Sequence, residues 1–147
     1  MLTVLWLMAL QACEFETSGN GDLDGFWRMA YIDTMATGGR ADMTTSNRFW
    51  CIQGKLLVLQ MTWQKNPAYS EDPDIICSFE RDDDTLRLYS PHFLLRPEGD
   101  PPLRPNDVEL LSPYGVNQLE TSFFIRFLSS RHLTLETPEL RLYLEKF

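Results

Sequence analysis

The sequence predicts an all-β chain: eight antiparallel strands running up and down and closing into a small barrel, with one short helix in a long crossing before strand 6. Three observations carry this. From about residue 26 onward the apolar residues come in short runs with two-residue alternation, which is the spacing of half-buried strands. The runs are separated by Gly, Pro, Asp and Asn, so neighbouring strands can pair directly through turns. Eight strands are enough for a sheet to close around an interior that is filled by side chains or holds one small ligand. A two-sheet sandwich would show similar alternation, and the strand count favours the barrel.

The elements follow in order. Phe26 to Thr34 reads as the first strand, ending in the turn Thr37-Gly38-Gly39. Arg48 to Met61 is a longer run, and Gly54 in its interior marks a bend, a bulge or a corner shared by two strands. Ile75 to Arg81 and Thr85 to Tyr89 form a hairpin across Asp82-Asp83-Asp84, an acidic turn that keeps the tip in water. Glu120 to Leu128, His132 to Glu136 and Leu140 to Phe147 close the chain as a meander, with Thr137-Pro138-Glu139 as the last turn. In these three strands Phe123, Ile125, Phe127, Leu133, Leu135, Leu140, Leu142 and Leu144 form the apolar face, while Arg126, Thr134, Glu136, Arg141 and Glu145 take the other.

Between Ser90 and Gln118 the pattern changes. Pro91, Pro97, Pro101, Pro102, Pro105 and Pro113 exclude a central strand. Asn106 or Asp107 can cap a short helix over Val108-Glu109-Leu110-Leu111, stopped by Pro113. A crossing of this length in a small domain is a functional loop or a mobile one.

Composition narrows the function classes. The 147 residues make one domain, large enough to bury roughly two-thirds of its unfolded surface without a disulfide or metal. With 13 Lys and Arg against 21 Asp and Glu, the formal charge is −8. That excess argues against nucleic acid as a partner and against electrostatic adsorption to anionic lipid.

The N-terminus reads as an address. Val4 to Leu10 form an apolar stretch, Ala12 is a small residue before Cys13, and Glu14-Phe15-Glu16 cut the run short of the roughly 20 residues a membrane span needs. No Lys or Arg lies between Met1 and Cys13, where secretory signals carry positive charge. Leu10-Gln11-Ala12-Cys13 resembles the lipobox of bacterial lipoproteins, whose Cys takes up diacylglyceryl and often a further palmitate-type chain. The resemblance implies a signal peptide over 1–12, a lipidated Cys13 with a flexible tether over 13–21, and the barrel domain over 22–147. It also implies a lipid-anchored protein of the bacterial outer membrane, on its periplasmic or its outer face. The remaining cysteines are expected as free thiols. A hairpin turning near Pro67 sets Cys77 opposite Leu57 or Val58 and not opposite Cys51.

Groups for chemistry are sparse. His92 lies in the Pro-rich crossing and His132 opens a strand, and no Cys-x-x-Cys, nucleophile elbow or phosphate loop occurs. Asp82-Asp83-Asp84 lacks the alternating ligands and glycine of an EF-hand loop. Neither an enzyme, a metal site nor a cofactor is expected. Rings are plentiful, and they either line an open mouth or pack together in a dry barrel. Trp63, Tyr69, Phe93 and Tyr114 are the candidates for a ligand-binding rim, because loops at barrel ends carry recognition.

Gly25-Phe26-Trp27 at the head of the first strand resembles the Gly-x-Trp opening of lipocalins. With Asp84-Thr85-Leu86-Arg87-Leu88, Ser112-Pro113-Tyr114-Gly115-Val116-Asn117 and the closing Leu140-Arg141-Leu142-Tyr143-Leu144-Glu145-Lys146-Phe147, the chain is similar to small lipocalin-like lipoproteins of Bacteroides-type bacteria. That resemblance implies an eight-stranded barrel with Gly25 and Trp27 at its plugged end. It also implies an Arg stacked on the Trp, with Arg141 or Arg126 as candidate; the alternative is that both are solvated on the outer face. The function expected is non-catalytic binding of a small apolar ligand in or at the mouth of the barrel. The alternative is an accessory subunit that docks on an envelope protein and has a filled barrel.

Overall fold

The computed structural model describes residues 19–62, 73–94 and 99–147. Among them are nine strands: β1 (Gly25–Thr34), β2 (Arg40–Asp42), β3 (Arg48–Gln53), β4 (Leu56–Met61), β5 (Ile75–Asp82), β6 (Thr85–Phe93), β7 (Thr121–Leu128), β8 (His132–Glu136) and β9 (Leu140–Lys146). They form one antiparallel sheet in which β1 also pairs with β9, so the sheet closes. Eight strands make the up-and-down barrel. The ninth, β2, pairs with Tyr31 to Asp33 of β1 beyond the stretch taken by β3. The sequence reading lacks β2 because its three exposed residues carry no apolar alternation.

The corner at Gly54 divides the long run as expected: Gln53 pairs with Leu56, and Gly54 adopts φ +61 in the turn between β3 and β4. Leu57 lies opposite Cys77. Cys51 and Cys77 are free thiols.

Three bulges coil the strands and reset which side chains face inward. On β1, Met29 pairs with Leu144 and Tyr31 with Tyr143, so Ala30 is the extra residue and both Met29 and Ala30 are buried. On β7, Arg126 is extra between Ile125 and Phe127. This overturns the inward assignment of Phe127: past the bulge the alternation flips and its ring is 55% exposed. On β6, Ser90 and Pro91 together face Cys77, with Ser90 at φ +49. Pro91 therefore sits inside a strand that continues to Phe93, contrary to the expectation that proline ends it at Tyr89. At a bulge the missing N–H removes no ladder bond.

The top of β6 finds a partner in the crossing itself. Phe93 N–H donates to the Pro101 carbonyl and Leu103 N–H to the Pro91 carbonyl, both at 2.9 Å. The expected helix is instead a pair of 3-10 turns, Pro105–Leu110 and Ser112–Tyr114. Asp107 does not cap from the first position: its carboxylate accepts from Arg104 N–H at 2.8 Å, with Pro105 opening the turn. Pro113 does not stop the segment; Gly115 does, at φ +78.

Candidate functional site

The lower end of the barrel, where β1 begins, is closed by residues adjoining the strands. Leu23 and Trp27 are fully buried, and the Trp27 indole N–H donates to the Leu23 carbonyl at 2.8 Å. Asn20 crosses beneath them, donating to the Gly54 carbonyl and to Asp24, each at 2.6 Å. The cation over Trp27 is Lys146, with Nζ 4.8 Å from the ring centroid and donating to the Asp22 carbonyl at 3.0 Å. Gly25 makes room for this arm: at its φ of +155, a Cβ would lie 2.7 Å from Lys146 Cε.

The expected arginine stack is thus filled by a lysine one strand position from the C-terminus. Arg141 lies on the outer face, bonded to Glu136 at 3.1 Å, and Arg126 reaches the same carboxylate at 3.7 Å. The Arg141 guanidinium is held charged by Tyr143 and by Glu136. Strand parity explains the difference: Leu142 and Leu144 are buried, so Arg141 must face solvent, while Lys146 at the strand's last position can fold under the rim.

At the upper end, described residues of the crossing pack against the core. Leu103, Leu111, Tyr114 and Val116 are all buried there. Of the four expected rim residues, Trp63 and Tyr69 lie outside the described residues. Phe93 is half-buried against the core. Tyr114, expected at an open rim, is 1% exposed and descends into the barrel, where its carbonyl accepts from the Trp50 indole N–H at 3.2 Å. Arg48 stacks over its ring at 5.0 Å.

Trp50 is the cross-strand partner of Trp27. A column of large buried groups therefore comprises the plug, Trp50 beside it and the crossing segment bonded to Trp50. Phe123 meets Trp50 edge-on at 5.5 Å. Around this column Met29, Leu57, Leu59, Ile75, Leu86, Leu133, Leu135 and Leu142 have 0–1% of their surface exposed. A void large enough for water would expose the side chains lining it, so the interior at these positions is filled.

Outside the barrel, Arg40 binds Asp33 through two nitrogens at 2.7 and 3.0 Å and lies between the rings of Tyr31 (4.9 Å) and Tyr143 (5.1 Å). Its hydrogen bonds hold the Asp33 carboxyl below the ordinary carboxylate range. This clip fastens β2 across the junction of β1 and β9. It was missed in the sequence because the four residues are scattered over three strands.

Burial pushes the Cys77 thiol up to about 12, so it stays protonated and packs as a small hydrophobe. His92 Nδ1 lies 2.7 Å from the Ser90 carbonyl, in a bond local to the bulge. Among the described residues no group of His, Cys, Asp and Glu side chains is arranged to hold a metal ion. No described helix is long and apolar enough to cross a membrane.

The comparisons agree with this geometry. Among solved structures, a lipocalin-like protein from Bacteroides uniformis is similar over 86% of this chain and all of its own, with a TM-score of 0.61 at 17% identity. An uncharacterized protein from Bacteroides eggerthii is similar over 84% of this chain and 98% of its own, with a TM-score of 0.55 at 12% identity. At these identities the likeness is one of fold. No curated protein matches the sequence. The family model for a lipocalin-like domain matches residues 7–147, nearly the whole length, and the chain therefore belongs to the lipocalin-like domain family.

Proposed function

We propose that this chain is a lipid-anchored, non-catalytic accessory protein of the bacterial outer membrane whose barrel serves as a filled scaffold and whose contacts are made from outside. The column Trp27, Trp50, Tyr114 carries this reading: these buried groups take up interior space that a ligand carried within the barrel would need. Of the two functions expected from the sequence, this favours docking on an envelope protein over carriage of a small apolar molecule. Anchoring rests on Leu10-Gln11-Ala12-Cys13 and the apolar stretch before it. The stretch from Cys13 to Gly19 reaches at most about 20 Å, so an acylated Cys13 would keep the barrel close to the bilayer.

Mass spectrometry of the protein purified from bacterial membranes tests both parts. Under denaturing conditions we expect the polypeptide to begin at Cys13 and to carry acyl chains. Under native conditions we expect no further mass. A retained small hydrophobic molecule would return the ligand-carrier reading, and an unprocessed, unacylated N-terminus would remove the anchor.

A further inference from the structure

The outer wall near the start of β7 carries a feature that neither the plugged end nor the filled interior uses. A groove of about 460 Å³ runs between the end of the crossing and the turn from β8 to β9, within the roughly 300–1,000 Å³ range of small-molecule sites. It continues through Ser122, Thr137 and Pro138 into a second depression of about 400 Å³, beside Phe124.

Its lining is chemically selective. The polar side chains that line it are the amides of Asn117 and Gln118, the hydroxyls of Thr121, Ser122 and Thr137, and the carboxylate of Glu139. Two hydroxyls serve the local structure: Thr121 Oγ1 donates to the Gln118 carbonyl at 3.2 Å, and Thr137 Oγ1 accepts from Leu140 N–H at 3.1 Å. The side chains of Asn117, Gln118 and Ser122 make no hydrogen bond among the described residues. Amides and hydroxyls both donate and accept, so they match a ligand whose groups do the same. An anion would want donors only and would meet the carboxylates of Glu139 in the groove and Glu136 in the second depression. A cation would want acceptors only and would leave the amide N–H groups unused, whereas sugar hydroxyls can donate to the carboxylates and accept from the amides. At the far end Phe124, 47% exposed between its strand partners Thr85 and Glu136, lies beside Pro138 and offers a flat apolar surface.

A ring with hydroxyls around its edge and a C–H face fits both halves of such a groove. We infer that it binds a neutral saccharide of one or two units, with Phe124 as the platform for one sugar face and Asn117, Gln118 and Ser122 as the hydroxyl partners. This goes beyond the reading above, and it stands whether or not Cys13 is acylated.

Saturation-transfer NMR on the whole chain, with maltose, lactose, cellobiose and diacetylchitobiose as probes, tests it. At least one disaccharide should receive magnetisation, strongest at the C–H protons of a single ring. Phe124→Ser is an exposed substitution and should weaken that binding about tenfold. The double variant N117A/S122A should weaken it about fivefold. Phe127→Ser, an equally exposed ring outside the groove, should leave it unchanged. Absence of transfer to all four sugars would overturn the inference, as would equal affinity in the Phe124 and Phe127 variants. Neither result bears on the filled interior, which native mass spectrometry tests separately.

Discussion

The two ends of the barrel are packed by different kinds of chemistry. Below, closure depends on directional polar contacts made by residues next to the strands: an indole N–H to a backbone carbonyl, the Asn20 amide to Gly54, and a lysine laid over Trp27. Above, the packing is apolar. Leu103, Leu111, Tyr114 and Val116 come from a proline-rich segment and bury themselves against the strand interiors. A directional contact fixes geometry and contributes modestly to stability, whereas a buried aliphatic or aromatic group contributes more and constrains less. The lower end should therefore behave as a latch around one large plug, and the upper end as an extension of the core.

Substitutions can break or sharpen that contrast. Trp27→Ala removes the plug and opens the column, and should cost about 3–5 kcal/mol in urea unfolding. Leu111→Ala should cost about 2–4 kcal/mol; a loss below about 1 kcal/mol would mean that the crossing is a detachable cover and not part of the core. Gly115→Ala should cost about 1–3 kcal/mol, because its Cβ would collide with the Leu142 methyls at a positive φ. Lys146→Met should lose only about 0.5–1 kcal/mol, the worth of an exposed cation-π contact, while Arg141→Met on the outer face should lose still less.

The smallest effect is a response to acid at the β2 clip. The Asp33 carboxyl titrates lower in the fold than in the unfolded chain, so its contribution is present above the unfolded value and fades as pH falls through the folded one. Protection of the Arg40 to Asp42 amides, taken relative to unstructured chain at the same pH, should fall below the ordinary carboxylate range while Trp27 and Trp50 stay protected.

The parts of this fold legible in the sequence are those set by local alternation. Nine boundaries of the barrel strands, the Gly54 corner, the acidic hairpin and the last meander all follow from period-two patterning and turn chemistry. The misreadings occur where an extra residue shifts that period. Arg126 turns Phe127 outward, and Ser90 with Pro91 lets β6 run on through a proline. A bulge has no composition of its own in one sequence, so it stays hidden until the partner strand is in place. Lys146 was hidden for another reason: the contact with Trp27 depends on barrel closure, which joins residues from opposite ends of the chain. The saccharide groove is the least legible, since amides and hydroxyls on an outer wall look like any solvated surface until Asn117 and Thr137 are seen to line one groove.

The pairing of β1 with β9 has a kinetic consequence. Every other ladder of the barrel joins strands that follow one another in the chain or are separated only by β2, so those contacts form between near neighbours in sequence, the crossing before β7 being the longest connection. The Trp27–Lys146 ladder alone must wait for nearly the whole polypeptide. Folding should then proceed by a curling sheet whose two free edges meet last, with the cost of that one long closure setting the rate. Until they meet, β1 and β9 present unpaired backbone to any neighbouring copy, and the window for aggregation closes with the seam.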